Sequence, residues 1–184
     1  LQLPETLRIE KYTEVLNWYK NPLNRDYSKT LEIDIAGVPH VFAWGGLHGA
    51  IPQYFGEGSF INVDVASYYP SLMLVYKWLS RNVADPSKYA EIYHTRLKLK
   101  AEKNPMQQPY KIVLNSTYGA MKDRHNAMYD PRQANNVCVG GQLLLLDLIE
   151  RLEDHCDIIQ SNTDGILVKL RHDDDFELID DICW

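Results

Sequence analysis

The chain has 184 residues, 45% of them hydrophobic and 24% charged, enough for one core with a small protruding subdomain and too ordinary in composition for bulk disorder. A net charge of −6 argues against a generic nucleic-acid coat, whose affinity comes from clustered Lys and Arg, although basic residues are dense from Arg96 to Lys103 and acidic ones crowd Asp173 to Asp181. No apolar run reaches the roughly 18 residues of a membrane helix, no secretory signal opens the chain, and three cysteines lack tight spacing, so a reduced cytoplasmic protein without zinc is expected.

In chain order, Leu7, Tyr12, Val15 and Trp18 predict an amphipathic helix over residues 7–20, which the stretch NPLNRDYS breaks. Leu31, Ile33 and Ile35, then Val41 and Ala43, predict two strands joined around Gly37 and Pro39, followed by a glycine-containing loop from Trp44 to Gly49. Residues 59–65 alternate as a strand with Phe60, Asn62 and Asp64 on one side. Ser67 then stands as a helix cap, with Pro70 in the first turn of the helix that follows. Helical patterns over 88–103 and 107–122, interrupted at Asn104-Pro105, predict an antiparallel pair. Asp130-Pro131 marks a break, GQLLLLDLIERLEDH a buried helix to about His155, and IIQSNTDGILVKL a hairpin with Ser161 to Gly165 at its tip. The acidic stretch from Asp173 reads as a solvated loop before a last helix.

Taken residue by residue, most of these features have two readings. Asp164 and Gly165 serve a turn as well as a site, and Asp64 serves as a strand-end cap as well as a ligand. Arg96, Lys98 and Lys100 fit solvated charge as well as phosphate binding. Lys111, Asn115, Tyr118 and Lys122, spaced by four, three and four residues, share one helical face. Phosphoryl transfer needs carboxylates on rigid strand ends for divalent cations and basic residues for a triphosphate, and both occur here.

Three segments then carry a resemblance. Asp64-Val65-Ala66-Ser67-Tyr68-Tyr69-Pro70-Ser71 resembles the motif Asp-x-x-Ser-Leu-Tyr-Pro-Ser. Lys111 to Gly119 resembles Lys-x-x-x-Asn-Ser-x-Tyr-Gly at every fixed position, and Asn162-Thr163-Asp164-Gly165 resembles Asp-Thr-Asp-Ser. In this order they resemble the family B DNA polymerases, particularly those of bacterial viruses or prophages, from about residue 40 onward. Trp44-Gly45-Gly46 resembles that family's Tyr-x-Gly-Gly loop, which contacts primer or template, only loosely.

The resemblance implies an α+β fold: an antiparallel palm sheet backed by helices, with palm at 1–79 and 122–184 and a two-helix fingers subdomain at 80–121. It implies template-directed DNA synthesis, with Asp64 and Asp164 as the catalytic carboxylates and the Val65 carbonyl as a further ligand for Mg²⁺. Lys111, Arg96 and Lys100 are then expected to meet the triphosphate of a deoxynucleoside triphosphate (dNTP). Asn115 and Tyr118 shape the base-pair pocket, and Tyr69 excludes the ribose 2′-hydroxyl. Lys122, beyond the motif, is surface charge. Primer-template DNA, dNTPs and replication accessory proteins are the implied partners, at bacterial or phage DNA and without a membrane. Editing exonuclease and thumb are not recognisable, so a fragment inactive alone is expected. The alternatives are a two-metal nuclease and a non-catalytic nucleic-acid or protein-binding remnant. Two departures matter: Asn162 replaces an aspartate, which shifts the metal burden to Asp64 and Asp164, and Gly165 replaces a serine, which the turn favours.

Overall fold

In the computed structural model, which describes residues 1–184, the chain order is α1 (Thr13–Lys20), β1 (Thr30–Ile35), β2 (Val38–Ala43), β3 (Gly46–Ala50), β4 (Phe60–Asp64), α2 (Tyr68–Val75), α3 (Pro86–Ala101), α4 (Gln107–Lys122), α5 (Pro131–Leu152), β5 (Cys156–Ser161), β6 (Gly165–Leu170) and α6 (Phe176–Cys183). The fold is α+β, an antiparallel six-stranded sheet backed by helices. The chain divides into two compact units, one of Ser67–Val137 with Leu1, the other of Gln2–Ala66 and Cys138–Trp184.

In the second unit the strand order is β1-β2-β3-β5-β6-β4, every neighbouring pair antiparallel. Ala36 and Gly37, both at positive φ, make the two-residue turn between β1 and β2, the backbone hand that suits the twist of a hairpin. Pro39 lies inside β2, opposite Asp34. The expected glycine loop is instead a tight turn at Trp44-Gly45 and then strand β3, whose Gly46 pairs with Ala43. Pairing on both sides, with β2 and β5, holds this glycine-rich segment extended despite its low strand preference. Along β5 the alternation slips at Ile159, a bulge that puts Ile158, Ile159 and Ser161 all on buried positions. Val15, Tyr19, Phe42, Leu47, Leu143, Leu146, Ile149 and Val168 form the core of this unit. Each such apolar side chain contributes about 1.5–3 kcal/mol on burial.

The N-terminal helix is shorter than its periodicity predicts, because residues 7–12 are not helical. Their backbone donors are taken by α5. Arg8 N–H donates to Asp147, and the N–H groups of Glu10, Lys11 and Tyr12 all donate to the Glu150 carboxylate. A helix there would use some of the same groups internally, so these long-range partners compete with it. Helix α5 itself starts ten residues earlier than the apolar block suggests. The Asp130-Pro131 pair is its start signal, with Pro131 first in the helix and the Asp130 side chain accepting from Gln133 N–H.

In the first unit α3 and α4 are antiparallel: Arg96 late in α3 bonds Gln107 at the start of α4, while Tyr89 early in α3 bonds the Leu114 carbonyl. Leu72, Met73, Trp78, Leu114 and Met121 are its buried apolar residues. Asp130 sits at 3% exposure and receives Arg81 through backbone N–H, Nε and Nη2. The Arg81 guanidinium holds its carboxyl below the usual aspartate range.

Candidate functional site

In the sheet unit, Asp64 ends β4 and is paired with Gly165, the first residue of β6. The Val65 N–H donates to the Asp164 carbonyl at 3.0 Å, and Asn162 N–H to the Gly165 carbonyl at 2.9 Å. The two aspartates, far apart in sequence, thus lie on adjoining backbone at one end of the sheet. Both are exposed, and neither is in an ion pair. The Asp64 carboxylate is held from its own strand: the Asn62 amide donates to Oδ2 at 3.0 Å. The Asn162 carboxamide turns back on its own loop, its Oδ1 accepting from Asp164 N–H at 3.3 Å.

Gly165 is required here for room rather than for an unusual φ, because its backbone is not at positive φ. A Cβ at this position would collide with Asp64 Oδ1 and lie 3.0 Å from the Val63 carbonyl and 3.5 Å from Asn162 Oδ1. The expectation that the turn selects this glycine is therefore replaced by close approach: oxygen atoms occupy the space of the missing side chain. A shallow cavity of about 290 Å³ opens beside this point, bounded by Asn62, Gln160, Asn162 and Leu167 among others.

The side-chain groups at this end of the sheet are oxygen donors, the chemistry of a hard cation such as Mg²⁺. No group of three or more His, Cys, Asp and Glu side chains gathers in the chain. Asp64 and Asp164 each offer carboxylate oxygens, and Mg²⁺ is commonly held through only one or two carboxylates, with waters and substrate oxygens filling its shell. The cysteines are free, and burial pushes the Cys156 thiol up to about 11, so it is neither a ready nucleophile nor a soft ligand at neutral pH.

In the helical unit, Tyr69 on α2 and Tyr118 on α4 meet edge to face, with centroids 4.6 Å apart. Lys122 lies 5.5 Å above the Tyr118 ring, so this surface charge also covers an aromatic face. Arg96 is 7% exposed, with no carboxylate beside it. Its guanidinium donates to the Ser67 hydroxyl and, through Nε, to Gln107 at 3.3 Å. Ser67 occupies the N-terminal position of α2, yet its hydroxyl serves Arg96 and makes no helix cap. Lys100, Lys111 and Asn115 are exposed, and the two lysines form no ion pair. A Cβ on Gly119 would meet nothing within 4 Å, so that face of α4 is open.

Trp44, read as the start of a nucleic-acid loop, is 3% exposed. It donates its indole N–H to the Asn24 carbonyl and packs edge to face on Tyr19. Sequence reasoning missed Asn62, Ser67 and Gln107 as partners of site residues. Only Asn62 left a signal, its two-residue spacing from Asp64 on one strand face.

No helix of the chain is long and apolar enough to cross a membrane. No family model matches the chain. A stretch of 33 residues is 52% identical to a DNA polymerase of Acidianus bottle-shaped virus, isolate Italy/Pozzuoli, covering 18% of this chain and 5% of that protein. By that stretch the chain is similar to a viral DNA polymerase.

Proposed function

We propose that these residues are the palm and fingers of a family B DNA polymerase, phage or prophage in type, acting on primer-template DNA and dNTPs. The observation that carries this reading is the meeting of Asp64 and Asp164 on adjoining backbone, with a glycine leaving room for the Asp64 carboxylate. The three motifs and the similarity to a viral DNA polymerase support it further.

The reaction extends a primer: its 3′-hydroxyl oxygen bonds to the α-phosphorus of the dNTP as the bond to pyrophosphate breaks. Asp64, Asp164 and the Val65 carbonyl are the groups that would hold Mg²⁺, which when bound lowers the pKa of the attacking hydroxyl and neutralises the leaving group. Asn62 orients the Asp64 carboxylate. Lys111 and Lys100, exposed and unpaired, offer charge to the triphosphate, and Arg96, held through Nε and Nη1 by Gln107 and Ser67, offers its charge and Nη2. Tyr69, braced by Tyr118, is the sugar-sensing wall, and Asn115 shares the base-pair pocket with Tyr118.

The division of roles at the tip is tested by comparing Asp164→Ala with Asn162→Ala in Mg²⁺-dependent primer extension, with both substitutions made in the longest natural polypeptide that contains the chain. Because Asn162 turns toward its own loop, Asp164→Ala should lose nearly all nucleotide addition and Asn162→Ala should keep most of it. Equal losses in two folded variants would reject the assignment.

A further inference from the structure

A buried histidine lies two strands from the tip, unused by the chemistry above. His40 on β2 and Ser161 at the end of β5 are each 2% exposed. Strand β3 runs between them, with Gly49 paired to His40 on one side and to Ser161 on the other. Any side chain on Gly49 would collide with the imidazole, so the missing Cβ is what lets the ring cross β3 and reach β5.

The ring is fixed at both nitrogens. Nδ1 lies 2.8 Å from the Val38 carbonyl, and a nitrogen facing a carbonyl must carry the proton. Nε2 is then the acceptor for the Ser161 hydroxyl. Ser161 faces the ring because of the bulge at Ile159; in unbroken alternation it would point to the other face of the sheet. The same hairpin also leaves room for the tip. The Thr163 hydroxyl sits 2.5 Å from where a Cβ on Gly46 would be, so Gly46 gives it space.

We infer that His40, acting through Ser161, is a positioning residue that fixes the Asn162–Asp164 tip against a frame made by β2 and β3; this rests on reading Asp164 as a metal-holding carboxylate. No side chain of the protein restrains that carboxylate, so its direction comes from the backbone of the tip. One flank of the tip is held by the frame through the bond of Ser161 to His40, and on the other Thr163 packs into the space that Gly46 leaves.

The arrangement also responds to pH. Protonation reverses the bond to Ser161 and leaves an imidazolium in a buried site, a cost that local opening relieves. Burial lowers the pKa of His40 from the ordinary 6.5, against smaller opposing effects of the Val38 carbonyl and of Asp34, the charged neighbour on β1. With the folded value below the unfolded one, the stabilisation is full above about 6.5 and is lost as pH falls through the folded value.

The test is hydrogen exchange, read by NMR at the amides of Val65 and Asn162, whose bonds to the Asp164 and Gly165 carbonyls report the tip. Ser161→Ala removes one hydroxyl and should speed exchange at both amides about fivefold, the equilibrium worth of one neutral hydrogen bond. In the wild type the protection of the same amides should fall as pH falls below the histidine range. Primer extension by Ser161→Ala, made in the longest natural polypeptide that contains the chain, should show reduced kcat with little change in KM for dNTP. Unchanged exchange at both amides, with no pH dependence in the wild type, overturns the positioning role. Lost protection, when the longest natural polypeptide containing the chain extends no primer either, upholds the positioning and overturns the polymerase reading instead.

Discussion

At the scale of single residues, several side chains at the sheet end are defined by the space a neighbour leaves. Asp64 lies over Gly165, the His40 ring over Gly49, and Thr163 against Gly46. Gly165→Ala places a methyl group on Asp64 Oδ1 and beside the Val63 carbonyl. The carboxylate must swing away or the hairpin must shift, a form of overpacking that typically costs about 1–3 kcal/mol. Thermal unfolding should show that loss. Mn²⁺ titration, with Mn²⁺ standing in for Mg²⁺, should show weaker binding than in the wild type. A variant with unchanged stability and unchanged affinity would mean that Asp64 is not held where Gly165 leaves room.

At the scale of elements, acidic side chains on α5 and just past its end organise a segment with no regular structure of its own. Asp147 and Glu150 on the helix and Glu153 in the turn directly after it are spaced by three residues and face residues 8–12. Glu150 does most of this, taking three consecutive backbone N–H groups. Tyr12 adds its phenol to Glu153 and accepts from Ala36 N–H, tying the segment to the first hairpin. Glu150→Gln replaces one acceptor oxygen by a donor facing N–H groups. It should destabilise the protein by about 1–3 kcal/mol. Faster hydrogen exchange confined to the amides of Glu10, Lys11 and Tyr12 would locate the effect, and unchanged exchange there would contradict it.

This segment also shows why part of the structure was not legible in the sequence. Helix α4 runs Gln107–Lys122, the range its pattern predicts, and the β5–β6 hairpin is where its turn residues put it. Local composition decides such elements. Residues 7–12 carry helical periodicity, but long-range carboxylates claim their backbone, and no periodicity records that. The glycines of β3 read as a loop because the pairing partners that keep them extended lie elsewhere in the chain.

At the scale of the whole molecule, the aspartates were legible as motif residues, and their meeting depends on β6 pairing with β4 across a long insertion. Asn62 and His40 were not legible as their supports, since a lone amide or histidine on a strand has no local signature. A net charge of −6 is compatible with a DNA enzyme when basic side chains such as Lys100 and Lys111 stand exposed and unpaired on one unit while acidic residues outnumber basic ones on the other.

The most direct measurement is single-nucleotide primer extension in Mg²⁺, made with the 184-residue chain and with the longest natural polypeptide that contains it. Each of the four template bases is offered each dNTP in turn. The account predicts lengthening by one nucleotide only with the complementary dNTP, and its loss in Asp64→Asn and in Asp164→Asn. Primer shortened in a metal-dependent way, or left unchanged by both polypeptides, would contradict it.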